Sequence, residues 1–544
     1  MTSKPWLKNY EPGVPAHIKY PPITIPQLLL DTKERHPQYI ATTFNDTDIT
    51  YGELNAKVNG MAHALKSLGV KKGTHCVLFL PNTPTYVIAY YAVLKIGAVV
   101  VNINVGIQGE ELVDSLKTSE AKVIISLDVF IQNVYRVIQN TSIGIVIIHS
   151  VFGLEKKMKF EGVPTPLIFN DLVAAHPTHE PDWECRPDDP AVLQFTSGST
   201  GRPKAAILTH QTIVANIIQT VEWINISETG NDAVLCIIPF FHVFGMNACL
   251  NLSVYKGYRM ILIPHFAWLD LIPLLTIIKK YKPISLPAVP SLWTALLMSP
   301  RATKELFLPL LVPVSGGAPL PARVHGQYEE LTGRKIYEAY GLSEASSAAL
   351  FAPYPKGAPP GSIGVPLPDT EARIVDFDTG TKELTPGEIG ELTIRGPQIM
   401  QGYYGNEALT REVLRDGWLY TGDLARMDDE GFFYLVDRKD DLIITSGFNV
   451  YPSIVEGVLV RHPVVKEAAV VGAPDRIRGQ AVKAYVVLET DQKADKEDIL
   501  AFCRDCLPDF KVPRTIHFVD QIPRNPIGKP LRKSLRPEGE NQGG

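Results

Sequence analysis

Nine consecutive residues, Thr196-Ser197-Gly198-Ser199-Thr200-Gly201-Arg202-Pro203-Lys204, bring together four hydroxyls, two glycines and two cations. Glycines let a backbone curl tightly and turn its N–H groups toward a ligand. Hydroxyls donate to phosphate oxygens, while Arg202 and Lys204 balance their charge. The stretch is read as a polyphosphate cradle and, in this chain, as an ATP site. It is not a Walker A loop, which runs G-x-x-x-x-G-K-[ST] into a helix. Here Pro203 separates the two cations, and Val192–Phe195 before the loop and Ala205–Leu208 after it both read as strands. A hairpin-like loop is expected; the plainer alternative is a glycine–serine surface turn with no ligand.

Four more segments carry chemistry. Tyr337-Glu338-Ala339-Tyr340-Gly341-Leu342-Ser343-Glu344 couples aromatics, a glycine, a hydroxyl and carboxylates. Tyr420-Thr421-Gly422-Asp423 sets an acid after a tight turn, suited to the two hydroxyls of a ribose, and Arg438 could act likewise. Pro526-Ile527-Gly528-Lys529-Pro530-Leu531-Arg532 places a lysine on a glycine turn; alone, Lys529 would read as a solvated surface residue. Cys503 and Cys506 have redox or zinc spacing but no second pair or histidine nearby, so a structural or incidental role is expected.

These residues need a large scaffold. A chain of 544 residues should form about two to four compact units. Its 45% hydrophobic and 20% charged content is that of a globular protein with a substantial core. A net charge of −5 and the lack of a basic run offer no general field for nucleic acid or anionic lipid. Few, scattered cysteines fit a reducing compartment. Met1–Trp6 has no apolar run and is not expected to be a secretory signal, and no lipidation or peroxisomal signal is expected at Asn541–Gly544. Met260–Ile278 is the most apolar long stretch, but Pro264, His265, Asp270 and Pro273 make it a strand and helix rather than a membrane span. A cytoplasmic address follows.

Continuous apolar runs at Cys76–Leu80, Gly97–Asn102, Val123–Ile125, Ile145–Ile148, Met260–Ile263 and Leu311–Val314 alternate with helical patterns such as Pro84–Lys95. Strands buried on both faces between helices predict α/β architecture with parallel sheets. From about Pro360 the texture shifts to short strands, including Ala372–Val375 and Gly390–Ile394. Beyond the charged turn Asp437–Asp441 lies a compact α+β unit. It has a strand at Leu442–Ile444, helices at Ser453–Val460 and Lys496–Cys506, and strands near Ala468–Gly472 and Val482–Leu488. A boundary at about Asp440 divides the chain into 1–439 and 440–544.

Taken in order, the five motifs resemble those of the acyl-adenylate-forming superfamily: acyl-CoA synthetases, adenylation domains of peptide synthetases and beetle luciferases. The resemblance runs from Thr50-Tyr51-Gly52-Glu53-Leu54 to Lys529. Lys4–Pro15 and Gly447-Phe448-Asn449-Val450-Tyr451-Pro452 look particularly like bacterial long-chain fatty acid–CoA ligases. It implies a large N-terminal domain of two α/β subdomains plus a small β-barrel-like subdomain, with a small mobile α+β domain at the C-terminal end.

The resemblance also implies roles. Thr196, Ser197, Gly198, Ser199, Thr200, Gly201 and Lys204 would hold the β- and γ-phosphates of ATP. Glu344, helped by Thr196, would bind Mg²⁺. Gly316, Gly317 and Ala318, with Glu338, Ala339, Tyr340 and Gly341, would frame adenine, and Ser343 would reach the α-phosphate. Asp423 and Arg438 would hold the ribose beside Leu435. Lys529 would bridge the substrate carboxylate and the α-phosphate. Coenzyme A would then attack the acyl-adenylate after the small domain turns about Asp440, whose plainer reading is a solvated turn acid. His242 matches a ring that gates the acyl pocket; a packed neutral histidine is the alternative.

Ala205, Ser343 and Gln480 depart from the family's common glycine, threonine and glutamate, which puts only the detail of CoA docking in doubt.

Phe241-His242-Val243-Phe244 offers no acid to pair a substrate ammonium, so an apolar acid is favoured. Small residues at Ala345–Ala349 suit a deep pocket or tight packing alike. A medium- or long-chain fatty acid is the expected substrate. An aromatic or alicyclic acid, a non-catalytic adenylate-fold binding protein and a luciferase-like oxygenase are the alternatives. Expected partners are the small carboxylic acid and CoA, with no nucleic acid. A peripheral membrane contact and a homodimer are the larger associations left open.

Overall fold

The computed structural model describes residues 4–151, 163–182, 185–196, 203–226, 230, 232–264, 271–377, 379–490, 492, 494–524 and 531–536. The chain forms two compact units, Met1–Glu371 with Ile394–Leu419, and Ala372–Thr393 with Tyr420–Gly544.

The first unit holds two large sheets. One has the strand order Gly402–Tyr403, Lys204–Thr209, Pro190–Thr196, Val99–Asn102, His75–Phe79, Val123–Leu127, Ile145–His149, Leu167–Ile168. From Pro190–Thr196 onward its pairs are parallel, and the first two pairs are antiparallel. The expected strands are present to within a few residues because Val77, Val101, Ile124, Val146 and Leu193 are all buried in one core. The helix Pro84–Lys95 begins at Thr83, whose hydroxyl accepts the Tyr86 N–H, and has proline in its first turn. Every residue from Thr85 to Lys95 is buried, so this helix is sheathed in protein. Its buried Lys95 ammonium is satisfied by Glu180, Asn55 and Asn59.

The second sheet has nine strands, ordered Val365–Pro366, Ser347–Phe351, Tyr337–Leu342, Val312–Gly316, Ser285–Ala288, Ala233–Cys236, Arg259–Leu262, Ile40–Phe44, Thr47–Thr50. It is parallel in the middle and antiparallel at both ends. In open sheets of this kind ligands bind beyond the C-terminal ends of parallel strands. Thr196, Gly316 and the Ser343–Glu344 turn all stand at such ends.

Glu371–Val375, Gly390–Arg395, Trp418–Met427 and Phe433–Arg438 belong to one small sheet, most of whose residues fall in the second unit. A further sheet runs Phe448–Val450, Ile443–Thr445, Gly479–Leu488, Val465–Asp475, with Thr515–Phe518 parallel to Gly479–Leu488. Helices Pro452–Leu459 and Lys496–Cys506 pack on it through Val455, Leu459, Ile499 and Cys503. Cys503 is thus a core residue, and its neighbour Cys506 is an exposed free thiol. No helix among the described residues is long and apolar enough to cross a membrane.

Candidate active site

The expected hairpin forms: Pro190–Thr196 and Lys204–Thr209 are antiparallel, with Thr196 opposite Lys204 at the mouth of the loop. Ser197, Gly198, Ser199, Thr200 and Gly201 lie outside the described residues. Gly402–Tyr403 adds an edge strand, pairing with Ile207 and Ala206. That edge sets Tyr403 against Lys204 and Glu344. Lys204 Nζ lies 5.3 Å from its ring centroid, and its hydroxyl donates to Glu344 Oε1 at 2.6 Å. The Glu344 carbonyl accepts from the Met400 N–H at 2.8 Å, and the Ser343–Ala345 turn packs on both strands of the hairpin. Thr196, Lys204 and Glu344 therefore share one edge, with Tyr403 linking the last two.

A hard cation takes oxygen ligands and keeps several waters, so one carboxylate and one hydroxyl beside a polyphosphate suffice for Mg²⁺. Glu344 fits that role: Oε1 is steadied by Tyr403, and Oε2 has no hydrogen bond from a described residue. Among the described residues there is no cluster of three or more His, Cys, Asp or Glu that would form an all-protein metal cage.

Next to this edge the parallel strands Val312–Gly316 and Tyr337–Leu342 set Ser315 beside Glu338 and Gly316 beside Ala339. Gly317 and Gly341 are exposed while Ala318 and Ala339 are partly so, making a ledge of backbone and small side chains open to a flat ring. Gly317 has φ +85°. A Cβ on Gly316 would approach the Phe244 ring to 3.2 Å, and one on Gly341 would lie 1.8 Å from the Ser347 carbonyl oxygen. Glycine is thus a packing requirement at Gly341. Burial pushes the Glu338 carboxyl up to about 7, against the pull of the Leu320 N–H, which donates to Oε2 at 3.0 Å.

His242 follows the strand Ala233–Cys236, and, two residues on, Phe244 lies against Gly316 of the ledge. Its Nδ1 accepts the Phe244 N–H at 3.2 Å, and desolvation lowers its pKa to about 4. The ring is neutral at physiological pH. After it the chain winds into a π-helix, Gly245–Asn251, a rare form often found at functional sites. Asn247 donates to the Ser346 carbonyl, Asn216 donates to the Ala348 carbonyl at 2.6 Å, and Ser346 Oγ donates to the Gln398 carbonyl at 2.9 Å. Ala345, Ser346, Ser347 and Ala349 are buried and Ala348 is partly so.

In the second unit Asp423 and Arg438 face each other across antiparallel strands, joined by Nη1–Oδ1 at 2.7 Å, and Leu435 lies opposite Ala425. Asp423 is buried and Arg438 is partly exposed. Glu391 braces the same turn: it accepts the Gly422 N–H at 3.1 Å and pairs with Lys439 Nζ at 2.7 Å. Lys529 lies outside the described residues. Tyr403, Glu391 and the asparagines of the π-helix had no part in the sequence reading. Only the Gly402-Tyr403-Tyr404 run could have flagged the first.

A hairpin at a strand end, a braced carboxylate and an exposed glycine ledge fit a nucleotide-binding enzyme of the adenylate-forming type. The chain belongs to the AMP-binding enzyme family, whose model matches residues 29–404, and residues 454–529 match the AMP-binding enzyme C-terminal domain. It is 37% identical to the long-chain-fatty-acid–CoA ligase of Bacillus subtilis (strain 168), over 99% of this chain and 98% of that protein. Among solved structures it is similar to the anthranilate CoA ligase AuaEII in complex with anthranoyl-AMP. There the TM-score is 0.85 and the identity 26%, with 95% of this chain and 97% of that one covered. It is also similar to O-succinylbenzoate coenzyme A synthetase (MenE) from Bacillus subtilis in complex with ATP and magnesium ion. That match has a TM-score of 0.78 and 29% identity, covering 93% and 98% of the two chains.

Proposed function

We propose that this chain is an AMP-forming acyl-CoA synthetase, an acid–thiol ligase acting in two half-reactions. In the first, a carboxylate oxygen bonds to the α-phosphorus of ATP and the bond to the bridging oxygen breaks, giving acyl-AMP and pyrophosphate. In the second, the CoA thiol gives up its proton, sulfur bonds to the acyl carbon, and AMP leaves. The observation that carries this reading is the gathering of Thr196, Lys204 and Glu344 at one strand edge, with Glu344 held by Tyr403.

The chemistry needs such a set because a carboxylate must approach an anionic phosphorus, and the two repel until cations neutralise them. Thr196 to Lys204 hold the β- and γ-phosphates. Mg²⁺, taken by Glu344 with Thr196, would supply charge neutralisation at the phosphate oxygens. Gly316, Gly317 and Ala318 with Glu338, Ala339, Tyr340 and Gly341 seat the adenine, and Ser343 reaches the α-phosphate. Asp423 and Arg438 take the ribose hydroxyls beside Leu435. Lys529 neutralises both reacting anions. Residues 440–544 then turn about Asp440 relative to 1–439, so that the thiol replaces Lys529 at the acyl carbon.

A medium- or long-chain fatty acid is the favoured substrate. The similarity to the Bacillus subtilis ligase over almost the full chain supports it, as does the lack of an acid in Phe241–Phe244. The likeness to the anthranilate ligase supports a second reading, an aromatic acid. His242 borders the acyl entrance in either case. The assigned setting is the cytoplasm, with membrane contact no more than peripheral.

The test is a panel of acids from acetate to palmitate plus benzoates, given with ATP and Mg²⁺. Pyrophosphate release with fatty acids, and thioester with AMP once CoA is added, are expected. Release with benzoates alone would favour the second reading. No pyrophosphate with any acid would sink the proposal.

A further inference from the structure

A buried ionic cluster sits where the second unit's small sheet meets the residues beyond Asp440. Arg532 grips Glu456 in a fork, Nε to Oε1 at 2.8 Å and Nη2 to Oε2 at 2.6 Å. Its Nη1 reaches Asp437 at 2.9 Å and Asp441 at 3.2 Å. Arg536 adds bonds to the Asp440 carbonyl at 2.7 Å and to Asp441 at 2.9 Å. The Asp437 side chain is 1% exposed and also accepts the Ser453 N–H at 2.7 Å, while Ser453 Oγ donates to the Val436 carbonyl. Arg532 follows Leu531, whose N–H donates to the Pro523 carbonyl at 2.8 Å.

The partners divide at Asp440. Asp437 belongs to the strand Phe433–Arg438 and is held opposite Leu424 by strand pairing. Glu456, Asp441, Arg532, Arg536 and Ser453 all follow Asp440 in the chain. Any turn about Asp440 carries Arg532 and Glu456 together, because a two-pronged fork is rigid. It cannot carry Asp437. The Arg532–Asp437 bond and both Ser453 contacts must therefore part, leaving a buried carboxylate without its guanidinium, which is costly. Residues 372–393 and 420–439 fall in one compact unit with the C-terminal residues, so both sides of the cluster belong to the same unit.

We propose that Arg532, Asp437 and Ser453 form a latch across Asp440 that exists in one working pose and is broken in the other, so that it sets the balance between the two half-reactions. This rests on the two-step synthetase reading above. Arg532 is a positioning residue that acts through Asp437 and Glu456.

The test uses the full chain with Asp437→Asn and Arg532→Lys, singly and together. ATP–pyrophosphate exchange with the best acid reads the first half-reaction, and AMP release from supplied acyl-adenylate plus CoA reads the second. The ratio of the two rates should shift about tenfold, the same way for both variants, with one half-reaction holding or rising while the other falls. The double variant should shift it no further than the stronger single. Ser453→Ala, which removes only the hydroxyl's bond to Val436, should move the ratio in the same direction and serves where a charged variant does not fold. An unchanged ratio, or a proportional loss of both activities, would overturn the latch. Failure of the wild-type protein to form either product would instead overturn the synthetase reading.

Discussion

The Tyr403 hydroxyl donates to Glu344 Oε1 at 2.6 Å, tying an edge strand to the turn that carries the carboxylate proposed to take Mg²⁺. A carboxylate awaiting a hard cation must not swing, and one short bond from a tyrosine seated on the sheet holds it. Lys204 over the same ring places the cradle's cation in register with that carboxylate.

Tyr403→Phe keeps the ring and removes the bond. A hydrogen bond to a charged group is worth about 2 kcal/mol, roughly thirtyfold in rate where the carboxylate acts. Pyrophosphate exchange should fall by up to that factor, with a higher Mg²⁺ requirement. An unchanged Mg²⁺ titration would remove Tyr403 from the site.

Lys529→Ala should abolish acyl-adenylate formation while sparing CoA-dependent AMP release from supplied acyl-AMP. Removing a positioned charge-stabilising group costs about 2.7–4 kcal/mol of transition-state stabilisation. Equal loss in both half-reactions would contradict the two-pose scheme.

Glu338 makes stability depend on pH. Its folded pKa of about 7 lies above the unfolded 4.5, so the folded state prefers the proton. That preference is complete below about pH 4.5 and is lost as pH rises through 7, where the buried carboxylate ionises. At about 1.4 kcal/mol per pH unit the penalty is roughly 3.5 kcal/mol. Glu338→Gln should therefore gain stability over the wild type as pH rises from 4.5 to 8, read by denaturant unfolding. A gap that does not change with pH would refute the assignment.

Two glycines should respond oppositely to alanine. At Gly341 a Cβ would lie 1.8 Å from the Ser347 oxygen, so Gly341→Ala should cost more than about 3 kcal/mol or prevent folding. Gly326, inside the helix Ala322–Thr332, has nothing within 4 Å of a Cβ, and Gly326→Ala should stabilise by about 1 kcal/mol. Thermal melts of both variants check the pair.

Local signals carried much of this architecture. The hairpin around the glycine–serine stretch was legible because apolar, strand-like runs flank it on both sides and Pro203 breaks the Walker A spacing; the strands found are Pro190–Thr196 and Lys204–Thr209. The helices Pro84–Lys95 and Lys496–Cys506 have the boundaries their periodicity predicts. Other elements shifted. The strand expected near Ala468–Gly472 extends over Val465–Asp475, since a long pairing with Gly479–Leu488 recruits Glu467 and Pro474, which no local pattern marks. The π-helix at Gly245–Asn251 left no trace in the sequence, because its asparagines are satisfied by Ser346, Asn216 and each other only after the fold is complete.

Residue type and spacing were enough to identify the nucleotide chemistry, the α/β class and the motif order. Hydroxyls, glycines and cations act over a few neighbouring residues, and hydrophobic periodicity is a property of short segments. Which groups steady those motifs is another matter. Tyr403 on Glu344, Phe244 against Gly316 and Arg532 on Asp437 are contacts between residues far apart in the chain. Such partners are chosen by sheet order and packing, so they became visible only once the strands had been assembled.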